Sequence, residues 1–166
     1  SMPLLTLKQK LNKIHREYVY EMPDTELKAW VSQFGFEFVG ASGRMAIRHT
    51  ETQKCFKIGG ISWKDDNKRE AQTYSKIKDS DISRFFASSE LVKGTSVLEI
   101  EFVAGEKLLQ LANKLTRQNY MQLRDDIEAV VSSLGEQFGI LLSDVQPHNV
   151  ICNPKTLEWK IIDYAD

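Results

Sequence analysis

The stretch Leu141–Asp166, LLSDVQPHNVICNPKTLEWKIIDYAD, sets two aspartates and an asparagine among apolar residues. Asp144 and Asn149 stand five apart as D-x-x-x-x-N, directly before the apolar run Val150–Cys152. Asp163 follows the apolar pair Ile161-Ile162. Asn153-Pro154-Lys155 has turn chemistry, so the pattern predicts a short strand over Asn149–Cys152, a turn, and a final strand over Trp159–Ile162. A tight turn would bring Asn149 beside Asp163. An amide oxygen and a carboxylate are hard ligands that suit Mg2+. Asp144 can orient an incoming hydroxyl and accept its proton. A capping and turn pair for Asp144 and Asn149, and a plain strand-end acid for Asp163, are the blander readings. His148 has no second His or Cys at ligand spacing and reads as a loop residue shaping the site.

A second polar set lies upstream. Lys57 sits in the apolar run CFKI, after a stretch containing Gly40 and Gly43 and before Glu70. A nucleotide triphosphate is highly anionic, and phosphoryl transfer depends mainly on positioning and electrostatic stabilisation. A sheet lysine can contact phosphates as a point charge, and a helix glutamate can hold it in place. Lys57 can equally be a strand lysine that snorkels to water. Glu70 lies in the charged run KDDNKRE, and Asp66 and Glu90 are rivals for the same lysine. Gly40 and Gly43 can simply allow a bulge or bend.

The frame around these residues is α+β. Leu7, Leu11, Ile14 and Tyr18 recur at helical spacing, a stripe suited to core packing or to a partner. That helix should end before Met22-Pro23, and Asp24 should cap a second one. From Phe36, FEFVGASGRMAIRHTETQKCFKI reads as two strands joined by a turn around Thr50–Gln53. Ala71, Tyr74 and Ile77 mark a helix capped by Asp65 or Asp66. Strands over Phe85–Val92 and Ser96–Val103 follow, turned at Lys93-Gly94-Thr95. Beyond Ala104-Gly105 come a short amphipathic helix and a longer one with Leu123, Ile127, Val130, Leu134 and Phe138 on one face. The expected organisation is residues 1–35 as a helical extension, 36–103 as a strand-rich lobe and 104–166 as a mainly helical lobe.

Bulk properties narrow the class. The 166 residues are 42% hydrophobic and 27% charged, ample for a core without covalent staples. A net charge of −1 gives no electrostatic footprint for nucleic acid or an anionic membrane. No apolar run approaches the ~20 residues of a membrane span, and no signal-peptide pattern opens the chain. Cys55 and Cys152 lie far apart in apolar segments. They read as buried thiols of a reducing, cytoplasmic compartment, with a disulfide or metal pair as the alternative.

Taken in order, these segments resemble the protein-kinase-like superfamily, from about Phe36 to the C-terminus. VLEIEFVAGEKL looks like the last N-lobe strand and hinge, and CFKI like the strand bearing the phosphate lysine. DVQPHN looks like the catalytic loop, and IIDYAD like the strand end bearing D-F-G. The resemblance implies a two-lobe fold, with an antiparallel-sheet N-lobe and a truncated, mainly helical C-lobe. It implies ATP and Mg2+ as cofactors. Lys57 would pair with Glu70 and reach the phosphates beneath a loop containing Gly40 and Gly43. Cys55 would lie over the adenine and Ile151 beneath it. Ile100 would be the gatekeeper, and the Glu101 and Val103 backbones would bond the adenine edge. Asp144 would be the catalytic acid-base residue, and Asn149 and Asp163 would hold the metal.

Several positions depart from the family pattern. Phe38 replaces the first glycine of the phosphate loop in FVGASGRM. Leu142-Ser143 stands where His-Arg is usual, Gln146 where many Ser/Thr kinases carry lysine, and Tyr164-Ala165 where Phe-Gly is usual. The resemblance, reaching Asp166, is expected to lack the activation segment, A-P-E motif and peptide-docking helices of larger kinases. The pattern is similar to minimal kinases of bacterial effectors and polyvalent mobile-element proteins, which would place the chain in a host cytoplasm if secreted. The expected activity is transfer of the γ-phosphoryl group to a hydroxyl, with a protein serine or threonine as acceptor. That acceptor would be held by the N-terminal helices, by a partner, or by a continuation of the chain. A small-molecule kinase or AMP-transferase on the same fold, and a non-catalytic interaction module, are the alternatives.

Overall fold

Thr6 accepts a hydrogen bond from the Gln9 backbone N–H, and the Gln9 side chain accepts one from the Thr6 N–H. This reciprocal cap starts α1 (Leu7–Glu17). The computed structural model describes residues 4–142, 145 and 147–165. Leu11 and Ile14 on α1 are fully buried, and Tyr18, which follows its last turn, is buried as well. In α2 (Asp24–Ser32), Leu27 and Val31 are buried. Asp24 does not cap α2. Pro23 holds that position without a side-chain bond, because its fixed φ suits the entry to a helix. Asp24 and Glu26 lie in the first turn, where their charge favours the positive end of the helix dipole.

Contacts divide the chain into two units: Ser1–Ala71 with Ser89–Glu101, and Gln72–Ser88 with Phe102–Asp166. The first holds α1, α2 and a five-stranded sheet of β1 (Phe36–Ser42), β2 (Arg44–His49), β3 (Cys55–Ile58), β4 (Ser89–Leu91) and β5 (Leu98–Ile100). Its order is β1-β2-β3-β5-β4, antiparallel throughout. The stretch expected to form two strands forms three. Gly43, at φ +86°, reverses the chain so that Ser42 opposes Arg44. Leu11, Ile14, Leu27 and Val31 join Phe36, Ile47, Phe56 and Ile58 in one core. The α1 stripe is therefore core packing, with Leu7 partly buried against the same cluster. The β4–β5 hairpin is shorter than its apolar pattern. The Thr95 hydroxyl donates to the Val92 carbonyl at 2.8 Å and accepts from the Val97 N–H at 3.0 Å, closing its turn.

α3 (Gly60–Ile77) begins in the first unit and breaks its helical path at Trp63. Among the described residues, the second unit carries the end of α3, 3-10 turns at Asp81–Phe85 and Pro147–Asn149, a three-stranded sheet and two further helices. The sheet order is β6 (Glu106–Lys107), β7 (Val150–Cys152), β8 (Trp159–Ile161). α4 (Leu108–Leu111) is a single short turn, and α5 (Arg117–Phe138) is capped by the Thr116 side chain. Ile127 and Leu134 of α5 pack with Ile77, Phe86, Val150 and Ile161. No helix among the described residues is long and apolar enough to cross a membrane.

Two substitutions test this packing. Ile14→Ala should cost about 2–5 kcal/mol, read as a fall in the urea midpoint. Leu4→Ala, at a fully exposed position, should leave that midpoint in place. His15 on α1 has its pKa pushed below the usual 6.5, first by burial and then by the Lys64 charge. The native state thus favours neutral imidazole. Its contribution is complete above the unfolded pKa and is lost as pH falls through the folded one. From about pH 7.5 to about pH 5, wild type should lose more stability than His15→Gln. Parallel urea-midpoint profiles would refute that.

Candidate functional site

Lys57 lies on β3, opposite Ala46 of β2 and Leu98 of β5. Its Nζ is 3.6 Å from Oε1 of Glu70, a residue of α3 that is only 1% exposed. Of the sequence rivals, Asp66 bonds Arg69 on its own helix, and Glu90 pairs across the strands with Glu99. Glu70 has a second cation. Arg44 Nη2 reaches Glu70 Oε1 at 3.0 Å, and Arg44 Nη1 donates to Asn67 Oδ1 at 3.0 Å. The Asn67 amide then donates to the Lys57 and Ser96 carbonyls, each at 2.9 Å. The sequence pattern does not mark Arg44 or Asn67. The available signal was the spacing of Asn67 and Glu70, which puts both on one helix face. The charged run around them reads as a solvated face and hides it.

Gly43 forms the β1–β2 turn, and Gly40 lies opposite Ala46, just past a register shift in β1. The Tyr18 hydroxyl donates to the Gly43 carbonyl at 2.5 Å. A Cβ on Gly43 would stand 3.2 Å from the Trp63 ring, whereas one on Gly40 would meet nothing within 4 Å. Cys55 faces Ile100 across β3 and β5, so the sheet makes neighbours of these two expected adenine contacts. Burial pushes the Cys55 thiol pKa up, against a lowering hydrogen bond with Arg48, which keeps it protonated and unreactive at neutral pH. Glu101 follows Ile100 at the end of the first unit.

Within the second unit, Val103 and Ile151 line one cavity together with Phe85 and Trp159, whose rings stack at 4.7 Å. The β7–β8 pairing sets Val150 opposite Ile161, and the Ile162 N–H donates to the Asn149 carbonyl at 2.8 Å. Asn149 and Asp163 consequently stand at adjoining ends of two paired strands. Asp163 has φ +59°, a left-handed conformation that aspartate tolerates better than most residues. Non-glycine residues in this region concentrate at functional sites. The next residue, Tyr164, is 2% exposed, donates its hydroxyl to the Ala87 carbonyl at 2.5 Å and meets Phe86 edge-on. It anchors the backbone immediately after Asp163. Asp144 lies outside the described residues. Among the described residues no group of three or more His, Cys, Asp or Glu side chains could hold a metal. A carboxylate-plus-amide pair instead fits Mg2+ that takes further oxygens from a phosphate ligand.

No protein-family model and no curated protein matches the chain. Among solved structures, the chain is similar in fold to the Rad53 kinase, in a crystal structure of residues 1–466 in complex with AMP-PNP. The TM-score is 0.53 and the sequence identity 15%, over 84% of this chain. The match spans 42% of the Rad53 chain's length. The likeness concerns fold alone: a mixture of helices and antiparallel sheet with a kinase as structural neighbour.

The two glycines give a discriminating test. Gly43→Ala should lower stability by about 1–2 kcal/mol, since it forces alanine into a left-handed conformation against an indole ring. Gly40→Ala should be near neutral. Equal thermal melts for the two variants would contradict the assigned turn.

Proposed function

We propose that the chain is an ATP- and Mg2+-dependent phosphotransferase that moves the γ-phosphoryl group to a hydroxyl, with a protein serine or threonine as the acceptor. The observation that carries this reading is the contact of Lys57 on β3 with the buried Glu70 of α3. The Rad53 structure was solved with a nucleotide analogue, in keeping with a nucleotide ligand here.

In this reading Glu70 orients Lys57 toward the phosphates, and the β1–β2 hairpin carrying Gly40 and Gly43 covers them. Cys55, Ile100 and Ile151 contact the adenine, and the Glu101 and Val103 backbones bond its edge. Asn149 and Asp163 would hold Mg2+, which supplies charge neutralisation to the phosphate oxygens when bound. The acceptor oxygen attacks the γ-phosphorus as its proton passes to Asp144. The new O–P bond forms while the γ-phosphorus separates from the β–γ bridging oxygen, and ADP leaves with that electron pair. Residues 36–103 and 104–166 are the lobes of this assignment, and 1–35 its extension.

Incubation with γ-labelled and α-labelled ATP tests the reaction. Label should pass to a hydroxyl from the γ position alone. Lys57→Met, Asp144→Ala and Asp163→Ala should each lower transfer by about 100-fold or more. Transfer from the α position alone would make the chain an AMP-transferase. Absence of transfer, together with no Mg2+-dependent thermal shift with ATP, would leave a binding module.

A further inference from the structure

The grip on Glu70 uses more of the protein than a lysine–glutamate pair requires. Arg44 enters from β2, directly after the Gly43 turn, and is 8% exposed. Its two terminal nitrogens reach two residues of one α3 face, Asn67 Oδ1 and Glu70 Oε1, each at 3.0 Å. Asn67 is fully buried. Both hydrogens of its amide nitrogen are committed, to the Lys57 carbonyl on β3 and to the Ser96 carbonyl ahead of β5. The Ser89 hydroxyl at the start of β4 donates to the Glu70 carbonyl at 3.3 Å. The α3 backbone is thereby bonded at the residue whose side chain faces Lys57.

On the phosphotransferase reading, we infer that Arg44 and Asn67 are positioning residues that lock Glu70, and through it Lys57, into the geometry needed for phosphoryl transfer. A carboxylate held by one lysine can change rotamer, and its helix can shift. A planar guanidinium forked onto both Asn67 and Glu70 fixes the carboxylate in direction as well as distance. Asn67 fixes the helix against two strands at the level of Lys57. Glu70 is thus set by groups internal to the first unit. No phosphorylated segment or bound partner is needed to bring α3 to the sheet. The order of distances agrees, since Glu70 Oε1 is nearer to Arg44 at 3.0 Å than to Lys57 at 3.6 Å.

A double-mutant cycle tests the role. Steady-state γ-phosphoryl transfer is measured for wild type, Arg44→Lys, Glu70→Gln and the double variant, with folding checked by circular dichroism and thermal melts. Arg44→Lys keeps the buried charge and loses the fork. It should lower kcat on the order of 10- to 100-fold, with a smaller change in the KM for ATP. In the Glu70→Gln background the same substitution should change kcat by less than about 2-fold, because Arg44 acts through Glu70. If Arg44→Lys does not fold, Asn67→Ser takes its place, with the same expected loss and the same non-additivity. Wild-type kcat in the single variant, or equal losses in both backgrounds, would overturn the inference and leave the phosphotransferase reading standing. Failure of both variants to fold would make the network purely structural and overturn it too. A wild type that transfers nothing would overturn that reading, and the inference with it.

Discussion

A carboxylate buried to 1% exposure constrains the whole first unit. Stripping an ion of water costs several kcal/mol, and only close partners offset it. Glu70 finds them in Arg44 and Lys57, which come from different strands. Removing one partner of a buried pair typically costs roughly 3–5 kcal/mol, so neither strand can slip while Glu70 stays inside. Asn67 adds a neutral staple, and its carbonyl oxygen and both amide hydrogens are engaged. Apolar packing around Phe56 and Ile58 sets which face of the sheet is buried. The polar network sets the register at which α3 meets it. An apolar replacement of the same shape would hold the helix equally well, so stability alone does not account for charges here.

The second unit solves a different problem. Asn149 and Asp163 come close through local chain geometry and need no buried charge. The Asn153 side chain accepts from the Lys155 and Thr156 N–H groups at 2.8 and 3.2 Å, which tightens the hairpin turn. Antiparallel pairing then carries the register from that turn to the open ends of the strands. At the far end Asp163 leaves extended geometry at φ +59°, which costs about 1 kcal/mol or more. Burial of Tyr164 and its bond to Ala87 offset that cost one residue later. The tyrosine that departs from the kinase-like pattern is thus a core residue with a satisfied hydroxyl. Its size is used for anchoring.

Legibility in the sequence followed the range of the interaction. The β7–β8 hairpin was readable because a turn motif and two apolar runs lie within a few residues of one another. The α5 stripe was readable because periodicity is local. The split at Gly43 was not, since a glycine inside an apolar run reads equally as a bulge or a reversal. Asp24 reads as a cap because its type suits the cap position. Pro23 took that place through backbone geometry, which residue type alone does not show. Arg44 and Asn67 were invisible for a stronger reason. Arg44 lies more than twenty residues from both Asn67 and Glu70, and a buried ion network has the same composition as a solvated surface. Lys57 and Glu70 are legible through the order of motifs along the chain, and periodicity adds nothing to either.

The N-terminal helices belong to the same mechanical system. The buried stripe of α1 ends at Tyr18, and this one residue touches both elements that deliver the Glu70 network. Its hydroxyl holds the Gly43 carbonyl, one residue before Arg44. Its ring and carbonyl lie against Gly60, where α3 starts; a Cβ there would stand 3.0 Å from the carbonyl. Trp63, at the break in α3, packs over Gly43 from its other neighbour and meets Tyr20 edge-on at 6.2 Å. Burial raises the Tyr18 pKa and Asp24 adds to that, so the hydroxyl keeps the proton it donates well into the alkaline range. The segment ending in Tyr18 is therefore a buttress. It fixes the turn before β2 and the first residues of α3, and Arg44 and Glu70 inherit their separation from those two fixed points.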